Sequence, residues 1–208
     1  KTLKQVDDSL VQLESDVGIL DSTQKIDRKL FTEQSTYRQL QNIITNGNFE
    51  NINGWRTIPG YPSANAPDLS VSDNVLTITL TSAVSTLTLE QDIIPKPNHA
   101  YYTRFAFKSH SNSSGIRLSF GHSGTSAHVA TQEWVTFSHL WKSNATVNTS
   151  VIFRVQQEVS SFPIGAQSQY RKMILIDLTE IFGEGNEPTK AEIDSLIEST
   201  PNQWCDDR

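Results

Sequence analysis

The side chains in this sequence that could do chemistry are arginines, tyrosines, a histidine and an amide spaced two residues apart in strand-like runs. In 101–110, alternation puts Tyr101, Thr103, Phe105 and Phe107 on one side and Tyr102, Arg104, Ala106, Lys108 and His110 on the other. In 116–122 the apolar set is Ile116, Leu118 and Phe120, leaving Arg117 and Ser119 outside. In 150–158, Val151, Phe153 and Val155 oppose Ile152, Arg154, Gln156 and Glu158. Guanidinium forks and amides can hydrogen-bond neighbouring hydroxyls in pairs, and flat rings stack on the apolar faces of sugar rings. Tyr102, Arg104, His110, Arg117, Arg154 and Gln156 are therefore the candidate saccharide contacts. Tyr61, between Gly60 and Pro62, is expected to stand exposed in a loop and joins them, whereas Trp55 and Trp134 adjoin strands and are expected to be buried. The same mixture of residues also suits an ordinary solvated sheet exterior.

Catalytic signatures are sparse. The sequence has no nucleophile elbow, no phosphate-cradling glycine loop and no His-Glu-x-x-His. His99, His110, His122, His128 and His139 never fall four apart, so a zinc site would have to be assembled from distant strands. Glycoside hydrolysis needs two carboxyl groups about 5 to 10 Å apart, and the strand faces offer only Glu133, Glu158 and Asp177. We read the chain as a binding protein, not an enzyme.

Elements positioning these residues follow from periodicity. Short β-rich runs at 69–71, 75–81, 85–91, 101–110, 116–122, 133–140, 150–158 and 172–178, separated by Asn, Gly and Pro turns, predict a mainly β protein, an antiparallel sandwich or jelly roll. A short helix over 190–198, capped by Thr189, follows a loop over 180–189. Residues 1–44 differ: they hold no proline, and Leu3, Val6, Leu10, Leu13, Val17 and Leu20 alternate by three and four. A second run, Ile26, Leu30, Tyr37, Leu40 and Ile44, repeats the alternation one residue out of phase. This predicts a helical or coiled-coil segment, either one distorted helix or two. A seam about three heptads long is marginal alone, so it needs copies of itself, another protein, or its own following domain. The expected division is 1–44 and 45–208.

Composition excludes two partners. A net charge of −6 at pH 7 argues against a nucleic-acid binder, and no run approaches the roughly 20 apolar residues of a membrane span, so neither nucleic acid nor membrane insertion is expected. Cys205 is the single cysteine, which excludes an intrachain disulfide.

Ile44-Thr45-Asn46-Gly47-Asn48-Phe49-Glu50, followed by Gly54-Trp55, resembles the opening of jelly-roll carbohydrate-binding modules. The stretch from Ile174 through Asp177-Leu178-Thr179-Glu180-Ile181-Phe182-Gly183 to Pro188-Thr189 resembles the closing stretch of tail and baseplate proteins of phages infecting Gram-positive bacteria. The resemblance implies a virion component that binds host cell-wall polysaccharide through its sandwich and other baseplate or tail proteins through residues 1–44. It also implies a structural Ca2+ bridging the opening and closing strands, with Glu50 and Asp177 as acidic ligands.

Overall fold

The computed structural model describes residues 40–59, 67–110, 115–120, 123–129, 131–147, 153–159 and 162–199; most of the expected stalk, and Tyr61, lie outside them. The alternation read above resolves into two antiparallel sheets. The first consists, in spatial order, of β1 (Arg56–Pro59), β4 (Thr86–Gln91), β9 (Phe153–Glu158), β6 (Gly115–Phe120) and β7 (Ser123–Val129). The second consists of β2 (Asp68–Ser72), β3 (Val75–Thr79), β10 (Gln167–Asp177), β5 (Ala100–Lys108) and β8 (Val135–Lys142). Helices α1 (Leu178–Phe182) and α2 (Lys190–Glu198) follow β10. This is the mainly β, two-sheet sandwich that the spacing predicts. Among the described residues no helix is long and apolar enough to cross a membrane.

The two inner faces meet in one apolar core containing Leu76, Ile78, Phe105, Phe107, Leu118, Phe153, Val155 and Leu175. Aromatic pairs bridge the sheets: the rings of Tyr101 on β5 and Phe120 on β6 meet edge to face at 5.0 Å, and Phe120 stacks on Trp141 of β8 at 5.4 Å. Each such ring contributes about 1.5 to 3 kcal/mol through burial alone. Trp55, only 6% exposed, packs against Phe49 and Phe153 in the same core, as its strand-adjoining position predicts.

Differences from the sequence reading have local causes. Leu40 and Ile44, assigned above to the helical seam, are buried in extended chain that runs beside β10: the Ile43 amide donates to the Leu175 carbonyl, and Asn42 Oδ1 accepts from the Leu175 amide. Their apolarity serves the sandwich. β1 and β7 occupy segments assigned to loops, because Gly, Ser and Pro there mask the strand pattern; both are edge strands, where such residues are tolerated. β10 begins at Gln167, five residues earlier than expected, and is broken by a bulge at Lys172, whose φ is +53°. α1 forms within the segment assigned to a loop, capped by Asp177, whose side chain accepts from the Glu180 amide. α2 spans 190–198 as predicted, held by a reciprocal capping box between Thr189 and Glu192.

Candidate functional site

The opening motif positions the edge of the first sheet. The Asn46 carbonyl accepts from the Trp55 indole, and Gln91 joins Thr45 through a pair of hydrogen bonds, its Oε1 accepting from the Thr45 amide and its Nε2 donating to the Thr45 carbonyl, both at 2.8 Å. Gly54 has φ +84°, and a Cβ there would come within 3.3 Å of the Gln91 amide, so a glycine is needed. With the turn fixed, the next residue but one, Arg56, enters β1 opposite Glu90.

Cross-strand register then builds the outer face of this sheet in rows. Arg56, Glu90, Arg154 and Ser119 are successive partners across β1, β4, β9 and β6; Thr88, Gln156 and Arg117 form the next row. Three of the predicted contacts, Arg117, Arg154 and Gln156, are thus neighbours on one face. Arg154 Nε donates to Glu90 Oε1 at 2.5 Å, while Arg56 Nε lies 3.4 Å from Glu90 Oε2 and its two terminal nitrogens grip Asp92 at 2.5 and 2.8 Å. The Arg56 fork holds the Asp92 carboxyl below its usual range by direct hydrogen bonding. Arg117 pairs with Glu158 at 3.1 Å.

Glu90 is fully buried although it belongs to the outward row, and its Oε2 accepts no hydrogen bond among the described residues. The Arg56 and Arg154 guanidinium groups, each about two-fifths exposed, close over this carboxylate. The carboxylate itself has no surface that a ligand could reach, whereas the guanidinium forks keep donors on the open face. The face can therefore bind a polyhydroxylated ligand by planar, paired hydrogen bonds. Glu90 and Arg56 were missed as site residues by the sequence reading; Thr86, Thr88 and Glu90 alternate against Leu87 and Leu89, which is the signal that could have found Glu90.

The remaining predicted contacts go elsewhere. Tyr102 and Arg104, expected on an exposed face, are 0% and 7% exposed on the outer side of the second sheet. α2 lies across them: Tyr102 donates to Asp194 at 2.6 Å and Arg104 pairs with Glu198 at 3.2 Å. Burial and the bond to Asp194 raise the Tyr102 hydroxyl well above its ordinary pKa, so it is a permanent donor to the helix. His110 is exposed just beyond β5, edge-on to Phe162, and away from the arginine rows. Trp134, expected to be buried, is half-exposed with the Arg171 guanidinium 4.1 Å above its ring.

The implied calcium ligands can be tested against their surroundings. Both Asp177 oxygens lie 2.9 Å from His99 Nδ1, one also caps α1, and the Lys96 ammonium stands 3.8 Å away. Glu50 is exposed and accepts from Asn48. Calcium takes six to eight oxygen ligands; among the described residues no three metal-binding side chains cluster. A carboxylate already surrounded by imidazole and ammonium does not fit such an ion.

No protein-family model and no curated protein sequence matches the chain. Solved structures do. The chain is similar to part of an arabinose-bound MgGH51 α-L-arabinofuranosidase, with 14% identity and a TM-score of 0.51 over 77% of this chain and 30% of that one. It is also similar to a CBM4 structure, 15% identical with a TM-score of 0.49 over 64% of this chain and 99% of that one. A third is TmCBM61 in complex with β-1,4-galactotriose, 15% identical with a TM-score of 0.43 over 66% and 99% of the two chains. Several of the structural neighbours are thus carbohydrate-binding modules, and at these identities what the chain shares with its neighbours is the β-sandwich fold.

Proposed function

We propose that this chain is a glycan-binding protein without catalytic activity, whose ligand lies across the outer face of the first sheet on Arg56, Arg117, Arg154 and Gln156. The observation that supports this reading is the alignment of three arginines and an amide in two adjacent cross-strand rows on one face, with the Arg56, Arg117 and Arg154 guanidinium groups partly exposed. The same geometry supports binding in place of cleavage. A glycosidase needs one carboxyl group kept protonated as general acid, whereas Glu90, Asp92 and Glu158 each face an arginine.

The finer reading is an adhesion component of a phage tail or baseplate, carried by the resemblance of residues 174–189, with host cell-wall polysaccharide as ligand and residues 1–44 as the attachment to other tail proteins. Weak single contacts suffice on a particle, because many copies raise avidity by roughly 10² to 10⁴.

The test is retention of the labelled full chain on Gram-positive cells, with and without extracted wall polysaccharide as competitor. The reading expects retention that the polysaccharide abolishes and that Arg117→Ala with Arg154→Ala reduces at least about tenfold. Retention unaffected by both competitor and variant would overturn it, and release of shortened glycan over time would overturn its non-catalytic part.

A further inference from the structure

The outer face of the second sheet also carries a polar surface, at the end that α2 leaves open. Ser70, Thr77, Gln169 and Lys108 are cross-strand partners in one row, and Thr79 and Gln167 in the next. Where this face meets the chain leaving β5 there is a cavity of about 380 Å³ lined by Lys108, Ser109, His110, Gln132, Gln167 and Gln169. Gln169 and Gln167 donate through Nε2 to the hydroxyls of Thr77 and Thr79, which orients both amides and leaves each with a carbonyl oxygen and a second N–H. Arg171, the next outward residue along β10, is held by its stack on Trp134.

Electrostatics separate this surface from the arginine rows of the first sheet. There, Arg56, Arg117 and Arg154 each have a carboxylate partner. Here, neither Lys108 nor Arg171 has one among the described residues, and no described residue lining the cavity is acidic; the nearby carboxylates are Asp68, two strands away from Gln167 at the sheet edge, and the exposed Glu133, which follows Gln132 and pairs with neither cation. Two uncompensated cations beside oriented amides are complementary to a ligand with both a negative charge and hydroxyl groups. The structure also supplies there the half-exposed indole that the first face lacks among its described residues.

We propose that this cavity and its rim, Lys108, Gln167, Gln169 and Arg171, form a second saccharide site selective for an acidic unit, a sugar or polyol bearing a carboxylate or phosphate. Lys108 and Arg171 take the anion, the glutamines take hydroxyls, and Trp134 fixes the arginine. The site is independent of the arginine face on the opposite sheet and stands whether or not that face binds.

Titration calorimetry of the full chain at low ionic strength tests this with three probes: a glucuronate oligomer, its carboxyl-reduced neutral counterpart of equal length, and a glycerol phosphate oligomer. At least one acidic probe should bind about tenfold or more tightly than the neutral one, and weaken as salt rises. Binding by the glucuronate oligomer alone assigns a carboxylate, and by the phosphate oligomer alone a phosphate. Lys108→Gln with Arg171→Gln should lower the affinity for the acidic probe about tenfold and leave that for the neutral probe unchanged. A thermal melt of the double variant confirms that the fold is intact. Equal binding of acidic and neutral probes, insensitivity to the Lys108 and Arg171 changes in folded protein, or no binding of either acidic probe at millimolar concentration would each overturn the proposal.

Discussion

The two ends of the second sheet's outer face share strands and alternation but differ in fate. Toward the end of β10, Ile174 and Ile176 are buried and neighbouring Tyr102 and Arg104 are tied to α2; toward its beginning, Gln167, Gln169 and Lys108 remain open to solvent. Alternation selects the side of a sheet on which a residue stands. A helix arriving roughly ninety residues after Tyr102 decides whether that side sees water. Arg104 and Arg171, both outward-facing arginines of the same sheet, therefore have different roles: one anchors a helix through Glu198, the other stands over an indole at the surface.

The comparison would break if the helix contributed nothing. Ile193→Ala removes a fully buried side chain of α2 itself and should cost about 3 kcal/mol. That is roughly a 10 °C fall in melting temperature for a domain of this size. Gln169→Ala on the open end should change stability by less than about 0.5 kcal/mol. Equal melting temperatures for the two variants would show that the covering helix is ornamental.

Removing only a polar link across the same contact sharpens the contrast. Tyr102→Phe keeps the ring and deletes the hydrogen bond to Asp194, so a loss of about 1 kcal/mol is expected in denaturant titration. A loss of several kcal/mol would mean that Asp194 depends on the tyrosine hydroxyl alone, although Lys190 also donates to it at 2.6 Å.

Acid should weaken the covered end. Burial opposes ionisation of Asp194, yet hydrogen bonds from Lys190, Tyr102 and Ser138 hold it below its ordinary 3.8, and the Thr189 amide and hydroxyl hold Glu192 below 4.5. A carboxyl depressed in the folded state contributes stability that is fully present above its unfolded pKa and lost as pH falls through the folded one. Stability should therefore decline below about pH 4.5. Glu192→Gln should flatten part of that decline; an unchanged pH profile in this variant would remove the capping box from the account.

The smallest expected effect concerns metal. Because Asp177 already faces His99, Lys96 and the α1 amide, melting temperatures in calcium and in chelator should agree within about 1 °C, the accuracy of such melts, whereas a bound ion at a hundredfold excess over its dissociation constant would add about 2.7 kcal/mol. A clear rise with calcium would reinstate the ion.

Much of the first sheet was legible. Arg117, Arg154 and Gln156 alternate with large apolar residues whose burial is obligatory, so their outward placement follows from the pattern alone. Glu90 was obscured because its segment is read for its leucines, and its significance depends on Arg56, thirty-four residues earlier, arriving opposite it. β10 hid its first half, since Gln167, Ser168 and Gln169 have no apolar contrast and the inward position before Tyr170 is filled by the buried but polar Ser168. Leu40 and Ile44 satisfied a heptad spacing by coincidence, because a strand-like approach to β10 and a helical seam both demand apolar residues a few positions apart.

What the sequence by itself determined are the period-two runs, the turn at Asn46 to Gly54 and the capped helix from Lys190, because each depends on residues within about ten positions of one another. Only the tertiary structure decided which polar face stayed open, because register brings Arg56, Glu90 and Arg154 together from three separate strands and α2 closes over Tyr102 and Arg104. Covering is a long-range event, and local spacing holds no record of it.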